Sequence, residues 1–313
     1  MAGGVAALLW RLWDTAFGLV LDFPYFDVYF VGRPANMLSA LACGLLRLMA
    51  GEIVAKGVEN CGRPAKRLEL YEFEACPYCR RVREALCVLD LDVEIFPCPK
   101  PGGDADESRF RGRFAGEEKV TFPILVDDGE VLRDSEKIVD HLWRKYGSEA
   151  TPPTNYKMAR ALERFKPLFV LPLLLRLRST CGLFRTPSVA PAEPLVLWGF
   201  EPSPFVKIVR EALCSLELRY VMVHVGHGSS AKRAEFAEKY ASKMCQGAAR
   251  RAAGVIQVPM LLDPNSAELE GEPVFESAAI VAYLFATYGA APAAVAAAAE
   301  PTEGKAAAAR HTR

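Results

Sequence analysis

Two thiols three positions apart, Cys76 and Cys79 in Glu74-Ala75-Cys76-Pro77-Tyr78-Cys79, are the residues of this chain best suited to chemistry. They follow a strand-like run, Leu68 to Phe73, and Pro77 stands where the pattern opens a helix. At a helix start the unpaired backbone amides and the dipole favour an anion, so Cys76 is predicted to ionise readily. Arg80, Arg81 and Arg83 follow within two turns and are expected to add positive charge. Cys79, one turn further in, is in reach of a mixed disulfide on Cys76, which makes Cys76 the attacking thiol and Cys79 the resolving one. The same pair is half of a zinc site, or two ligands of a bridging iron-sulfur cluster. There is no second CxxC, and His141, His224, His227 and His311 are scattered, so no metal is expected.

The elements that must position these thiols occur twice. LELYEFEACPYCRRVREALCVLDL, Leu68 to Leu91, returns 127 positions later as LVLWGFEPSPFVKIVREALCSLEL, Leu195 to Leu218. The phenylalanine, glutamate, proline and Val-Arg-Glu-Ala-Leu-Cys run coincide, but Cys76 and Cys79 become Ser203 and Val206. The first repeat, residues 66–147, reads as strand, helix (from Pro77), strand (Val93 to Phe96), a polar excursion, and two short strands, Phe122 to Val126 and Glu130 to Arg133. Asp127-Asp128-Gly129 joins those two as a hairpin, and Asp134 or Ser135 caps a helix that Gly147 ends. Residues 193–289 repeat the order, with a helix from Pro204, a variable excursion after Val225, a hairpin around Pro259 to Phe275, and a last helix from Glu276 or Ser277 to Tyr288.

At 313 residues the chain is long enough for two ordinary domains. Lys plus Arg equal Asp plus Glu at 38 each, which argues against a dedicated nucleic-acid binder. Nine cysteines, an odd number with one close pair, do not resemble the disulfide framework of a small secreted domain. A reducing intracellular compartment is expected, with Cys43, Cys61, Cys87, Cys98, Cys181, Cys214 and Cys245 as buried or incidental thiols.

The remaining segments read as helical. In residues 1–65, Leu9, Leu12, Trp13, Ala16, Phe17, Val20 and Leu21 recur at helical spacing, and Met37 to Met49 is a second apolar segment. No basic region precedes the first, and neither reaches the roughly 20 residues that span a bilayer, so neither a secretory signal nor a transmembrane helix is expected. The connector, residues 148–192, carries basic residues around the apolar run Pro167 to Leu175. That pattern suits an anionic membrane surface or a partner's groove, and equally a helical arm covering the repeats. Residues 290–313, rich in alanine, read as a disordered tail.

Glu74-Ala75-Cys76-Pro77-Tyr78-Cys79 resembles the active site of dithiol glutaredoxins. Thr121-Phe122-Pro123 is similar to the cis-proline segment of the thioredoxin fold, and Asp134-Ser135 to the acidic-serine motif of the glutathione transferase N-terminal domain. The tandem arrangement resembles a plant and algal family with two such domains, whose modules also resemble the glutaredoxin-like part of membrane-associated prostaglandin E synthase. The resemblance implies an α/β fold of two tandem thioredoxin-like (glutaredoxin or glutathione transferase N-terminal) domains, with a helical N-terminal extension and a helical connector. It implies glutathione as co-substrate, protein or small-molecule disulfides as partners, and a plastid location, although the N-terminus lacks a Ser- and Arg-rich transit character and leaves the cytoplasm as the alternative. Cys76 and Cys79 would be catalytic. Phe122, presented by a cis Pro123, would pair with the main chain of glutathione, Asp134 and Ser135 would receive its γ-glutamyl end, and Tyr78 would complete the contacts. Capping of the following helix is the plainer role for Asp134 and Ser135. The second repeat is expected to be a scaffold, or a groove without redox chemistry. A soluble transferase would continue into a long helical domain; about 45 residues precede the next strand here, which favours thiol–disulfide exchange. The other reading is a redox-inactive or regulatory membrane-peripheral binding protein.

Overall fold

The computed structural model describes residues 33–100, 108–114, 120–165, 171–172, 182–228, 230–244 and 256–289. The Leu9 to Leu21 segment, the tail beyond Gly289, Cys181, Cys245 and most of the Pro167 to Leu175 run lie outside the described residues.

Helix α1 (Arg33–Leu46) leads through a turn into the first half: β1 (Leu68–Glu72), α2 (Pro77–Val88), β2 (Val93–Pro97), β3 (Ile124–Asp127), β4 (Glu130–Arg133) and α3 (Ser135–Tyr146). After α4 (Thr154–Leu162) the second half runs β5 (Leu195–Gly199), α5 (Pro204–Ser215), β6 (Tyr220–His224), α6 (Ala231–Tyr240), β7 (Met260–Leu262), β8 (Val274–Phe275) and α7 (Ser277–Tyr288). Helix α6 fills the excursion that the sequence left without structure. The β3 strand starts at Ile124 rather than Phe122, because Pro123 has no N–H for the ladder.

All eight strands form one sheet, in the order β4-β3-β1-β2-β6-β5-β7-β8. Within each half the first two strands are parallel in the same register, Leu68 opposite Val93 and Leu195 opposite Tyr220, and a hairpin adds on antiparallel. The halves meet through β2 and β6, antiparallel, with Val93 opposite Met222, Glu94 opposite Val221 and Ile95 opposite Tyr220. Under the repeat, Val93 corresponds to Tyr220 and Ile95 to Met222, so exchanging the halves returns the same pairing. The β2–β6 contact is therefore self-complementary, as in a two-fold interface. Each half covers the other's edge strand, which removes two edges open to aggregation.

Alternation along the strands divides the core. Leu68, Leu70, Leu195, Leu197, Tyr220 and Met222 face α2, α3, α5 and α7 and form one continuous core through both halves. On the other face, Tyr71, Ile124 and Val126 meet Phe96, Phe110 and Phe114, while Trp198 meets Phe236 and Tyr240 of α6.

The repeat also extends upstream of the strands. Gly51 and Gly182 both have positive φ, and their carbonyls accept from the Cys87 and Cys214 thiols at 2.8 and 3.1 Å. From each glycine a strap crosses to the opposite half: Val54 N–H donates to the His227 carbonyl, and Arg185 N–H to the Lys100 carbonyl. A Cβ on Gly51 would lie 2.9 Å from the Glu201 Cβ, and one on Gly182 3.1 Å from the Glu74 Cβ. Close approach across the two-fold is thus what requires glycine at both places.

Candidate thiol site

Cys76 is the N-cap of α2, in extended backbone conformation, and its sulfur accepts from the Cys79 N–H at 3.3 Å. Pro77, at the first helical position, leaves no N–H to satisfy. Neither cysteine is in a disulfide; Cys76 is 4 % exposed and Cys79 fully buried. The Cys79 side-chain hydrogen bond, with the N–H groups of Cys79 and Tyr78, holds the Cys76 thiol below its ordinary value against the opposing effects of burial and the Glu72 charge. Burial, with the bond to Cys76 and the charges of Cys76 and Glu72, pushes Cys79 well above its ordinary value. The two thiols are thus driven apart in acidity.

The structure brings three other expected residues to this point. The Phe122 carbonyl oxygen is 4.0 Å from Cys76 Sγ, and Pro123 is cis and buried beneath it. Tyr78 is half exposed at the helix entrance, with the Arg81 guanidinium 5.8 Å from its ring centroid. Ser135 is buried and its Oγ accepts from Arg81 Nη1 at 3.1 Å. Asp134, at φ 73°, is exposed and caps α3: its Oδ1 accepts from the N–H groups of Glu136 and Lys137 at 2.8 and 3.4 Å. Oδ2 takes part in neither bond.

One expectation is corrected. Arg80, Arg81 and Arg83 do not act as positive charge beside Cys76, because each is held in ion pairs. Arg80 pairs with Glu84 at 3.6 Å, and Arg81 with Glu136 and Glu163 at 2.7 and 2.8 Å. Arg83 bonds Glu72, Glu201 at 3.1 Å and Glu74 at 3.3 Å. The local hydrogen bonds at the helix start, not these cations, favour the Cys76 thiolate.

The sequence reading also missed the buried charge cluster behind the site. Glu74 receives Arg210 at 3.0 Å and Lys207 at 2.8 Å from α5, while Glu201 receives Arg83 from α2 and Arg210, both at 3.1 Å. Under the repeat Glu74 corresponds to Glu201 and Arg83 to Arg210, so the exchange is reciprocal. Although burial opposes it, Arg210, Arg83 and Lys207 hold the Glu74 carboxyl well below its ordinary range. Burial instead pushes Glu72 up to about 7, with Glu74 and Glu201 reinforcing it and Arg83 opposing. The signal was available: the glutamate and the arginine are both kept where the cysteines are not.

In the second half Ser203 caps α5, its Oγ accepting from the Val206 N–H at 3.4 Å, and Val258–Pro259 is cis. Glu276 has φ 69° as Asp134 has 73°, yet its side chain makes no capping bond. Hairpin and last helix are tied alike in both halves: Asp127 accepts from Tyr146 Oη at 2.9 Å, and Asp263 from Tyr288 Oη at 2.6 Å.

Of the basic connector residues, Arg160 is paired with Glu136 and Glu163, and Arg185 with Glu217; Lys166, Arg176 and Arg178 lie outside the described residues. Among the described residues no helix is long and apolar enough to cross a membrane, and no cluster of His, Cys, Asp and Glu has the form of a metal site.

Residues 70–151 match the family model of the glutathione S-transferase N-terminal domain. That span runs from β1 to the turn after α3, so the first half carries a thioredoxin-like domain of this kind. No curated protein and no solved structure matches the chain.

Proposed function

We propose that the protein is a glutaredoxin-like, glutathione-linked thiol–disulfide oxidoreductase, built from two tandem thioredoxin-like domains of which the first is reactive and the second is its scaffold. The observation that carries this reading is the pairing at the start of α2: a thiol at the cap that accepts from the N–H three residues on, and a second, fully buried thiol one turn in. The Cys76 thiolate attacks a disulfide sulfur and forms a mixed disulfide. Either Cys79 or a second glutathione then attacks Cys76 Sγ and releases the partner as a thiol.

The residues around Cys76 support glutathione as the co-substrate. The main chain at Phe122, presented by the cis Pro123 next to Cys76, is placed to pair with an extended tripeptide. Asp134 retains an oxygen outside its capping bonds for an ammonium group, Ser135 and the N–H groups at the start of α3 would take a carboxylate, and Tyr78 is half exposed at the entrance of α2. Exchange with a glutathione mixed disulfide is the test. Cys76→Ser is expected to abolish it, and Cys79→Ser to retain the route through a second glutathione; undiminished exchange in Cys76→Ser overturns the reading.

A second reading, peripheral membrane attachment, rests on Leu38 and Leu45, which are 64 % and 57 % exposed two turns apart on α1. Flotation with anionic liposomes tests it, and a protein that stays in the unbound fraction removes it.

A further inference from the structure

The turn that presents Cys76 is held from the other half of the molecule. Cys76 N–H donates to the Phe73 carbonyl at 3.0 Å, so residues 73–76 close a tight turn ahead of α2. Glu74, inside that turn, is buried and has each of its polar groups engaged. Its carboxylate takes Lys207 and Arg210 of α5 at 2.8 and 3.0 Å, and its carbonyl accepts from Arg83 Nη2 at 3.4 Å. Its N–H donates to Cys214 Sγ at 3.4 Å. Cys214, the last residue but one of α5, donates its own S–H to the Gly182 carbonyl at 3.1 Å. A single thiol of the second half thus links the turn before Cys76 to the strap that begins at Gly182.

The repeat singles this thiol out. Cys76, Cys79 and Glu72 have Ser203, Val206 and Gly199 as counterparts, whereas Glu74, Arg83 and Cys87 recur as Glu201, Arg210 and Cys214. Cys87 makes the mirror contact: its thiol donates to the Gly51 carbonyl at 2.8 Å and accepts from the Glu201 backbone. Each of these cysteines therefore holds the turn of the opposite half, and only the turn held by Cys214 leads into a CxxC pair. An alanine or a valine would serve apolar packing at this position, but neither can stand between an N–H and a C=O and satisfy both. Burial, with the charges of Glu72 and Glu74, keeps the Cys214 thiol well above its ordinary value, so its proton remains available to Gly182.

Resting on the thiol–disulfide reading above, we propose that Cys214 is a positioning residue for Cys76: through the Glu74 N–H it fixes the turn that sets the Cys76 sulfur against the Cys79 N–H, so the second half, which lacks the CxxC pair, sets the reactivity of the first half's thiol. Without the Cys214 sulfur the Glu74 N–H is a buried donor with no acceptor. The turn then relaxes to satisfy it, and the Cys76 sulfur is no longer held 3.3 Å from the Cys79 N–H. Loss of that bond withdraws part of what favours the thiolate. Cys79 of α2 and Glu72 of β1 are the titratable groups that bear on Cys76, and the substitutions below change neither of them. Cys214 itself takes no part in exchange; its effect reaches Cys76 through backbone geometry alone.

The test is the rate of iodoacetamide alkylation at Cys76 against pH in the reduced full chain, with the modified cysteine located by peptide mass spectrometry. Cys214→Ala removes both hydrogen bonds without changing a charge. It is expected to move the Cys76 midpoint upward by about one unit, which is about tenfold less thiolate at a pH below both midpoints. Cys214→Val, which also lacks donor and acceptor but leaves no cavity, is expected to give the same shift and replaces the alanine variant if that one does not fold. Cys214→Ser keeps a donor and an acceptor and is expected to restore the wild-type profile. Cys87→Ala makes the equivalent loss at the Glu201 turn, and is expected to leave the Cys76 midpoint in place although Cys87 shares α2 with Cys76. An unmoved midpoint in the folded Cys214→Ala or Cys214→Val variant overturns the proposal and leaves the thiol reading standing. A Cys214→Ser variant that behaves as the alanine variant, or an equal shift in Cys87→Ala, overturns it in the same way. A wild-type Cys76 that ionises at or above the free-cysteine reference of about 8.5 overturns the thiol reading and this proposal with it.

Discussion

At Cys76 and at Ser203 the chain makes the same turn from strand to helix, with a proline at the first helical position and a side chain accepting from the N–H three residues on. The first turn encloses two thiols and a carboxylate, whereas the second encloses a hydroxyl, a valine and a glycine. What stayed alike in both halves is what holds them together: the β2–β6 register, the crossed straps and the exchanged Glu74–Arg210 and Glu201–Arg83 pairs. The difference teaches that the interface and the thiols occupy separate residues of one local motif, so the contact between the halves does not depend on the thiols.

The largest effect is expected from breaking the shared part. Arg210→Met leaves Glu74 and Glu201 buried with less compensation, and removal of one partner from a buried ion pair costs about 3–5 kcal/mol. Urea unfolding should register this loss although Arg210 belongs to the half without thiols; a change within error would mean that the cluster does not hold the halves.

Gly199→Ala sharpens the comparison next. Its Cβ would meet Val206 Cγ2 at 2.5 Å and Cγ1 at 2.8 Å, and overpacking of this kind costs about 1–3 kcal/mol. Adding Val206→Ala removes both γ carbons, so the double variant should lose less than the two single losses combined. Strict additivity in that cycle would show that positions 199 and 206 do not touch.

The smallest effect separates the last helices. Asp134→Ala removes a capping carboxylate and should cost about 1 kcal/mol. Glu276→Ala, at the corresponding place without a capping bond, should stay within about 0.5 kcal/mol. Thermal or urea unfolding of the two variants side by side decides this, and equal losses would refute it.

Much of each half was legible because local signals agree. Pro77 and Pro204 open helices, Asp127-Asp128-Gly129 turns a hairpin, and Gly147 stops α3, so strand and helix positions follow from short-range chemistry. The thiol pair was legible for the same reason: Cys76, Pro77 and Cys79 lie within one turn. The charge cluster was not, since Arg83 reaches Glu201 across the two-fold and spacing along the chain says nothing of that contact. The arginines after Cys79 were read as a local field, when Arg81 reaches Glu136 of α3 and Glu163 at the end of α4, and Arg83 reaches Glu201 of the second half. The straps were hidden because Gly51-to-Val54 and Gly182-to-Arg185 share only the glycine, which close approach requires at both places.

The most direct measurement is the ionisation of Cys76, followed by pH-dependent alkylation of the reduced protein with Cys76→Ser as control for the other thiols. Repeating it in Cys79→Ala removes the hydrogen bond that contributes most to the shift. The thiolate should appear below the free-cysteine reference of about 8.5 in the wild type and move upward in Cys79→Ala. A Cys76 that ionises at or above that reference would contradict the account, and would make the start of α2 a scaffold of the same kind as the start of α5.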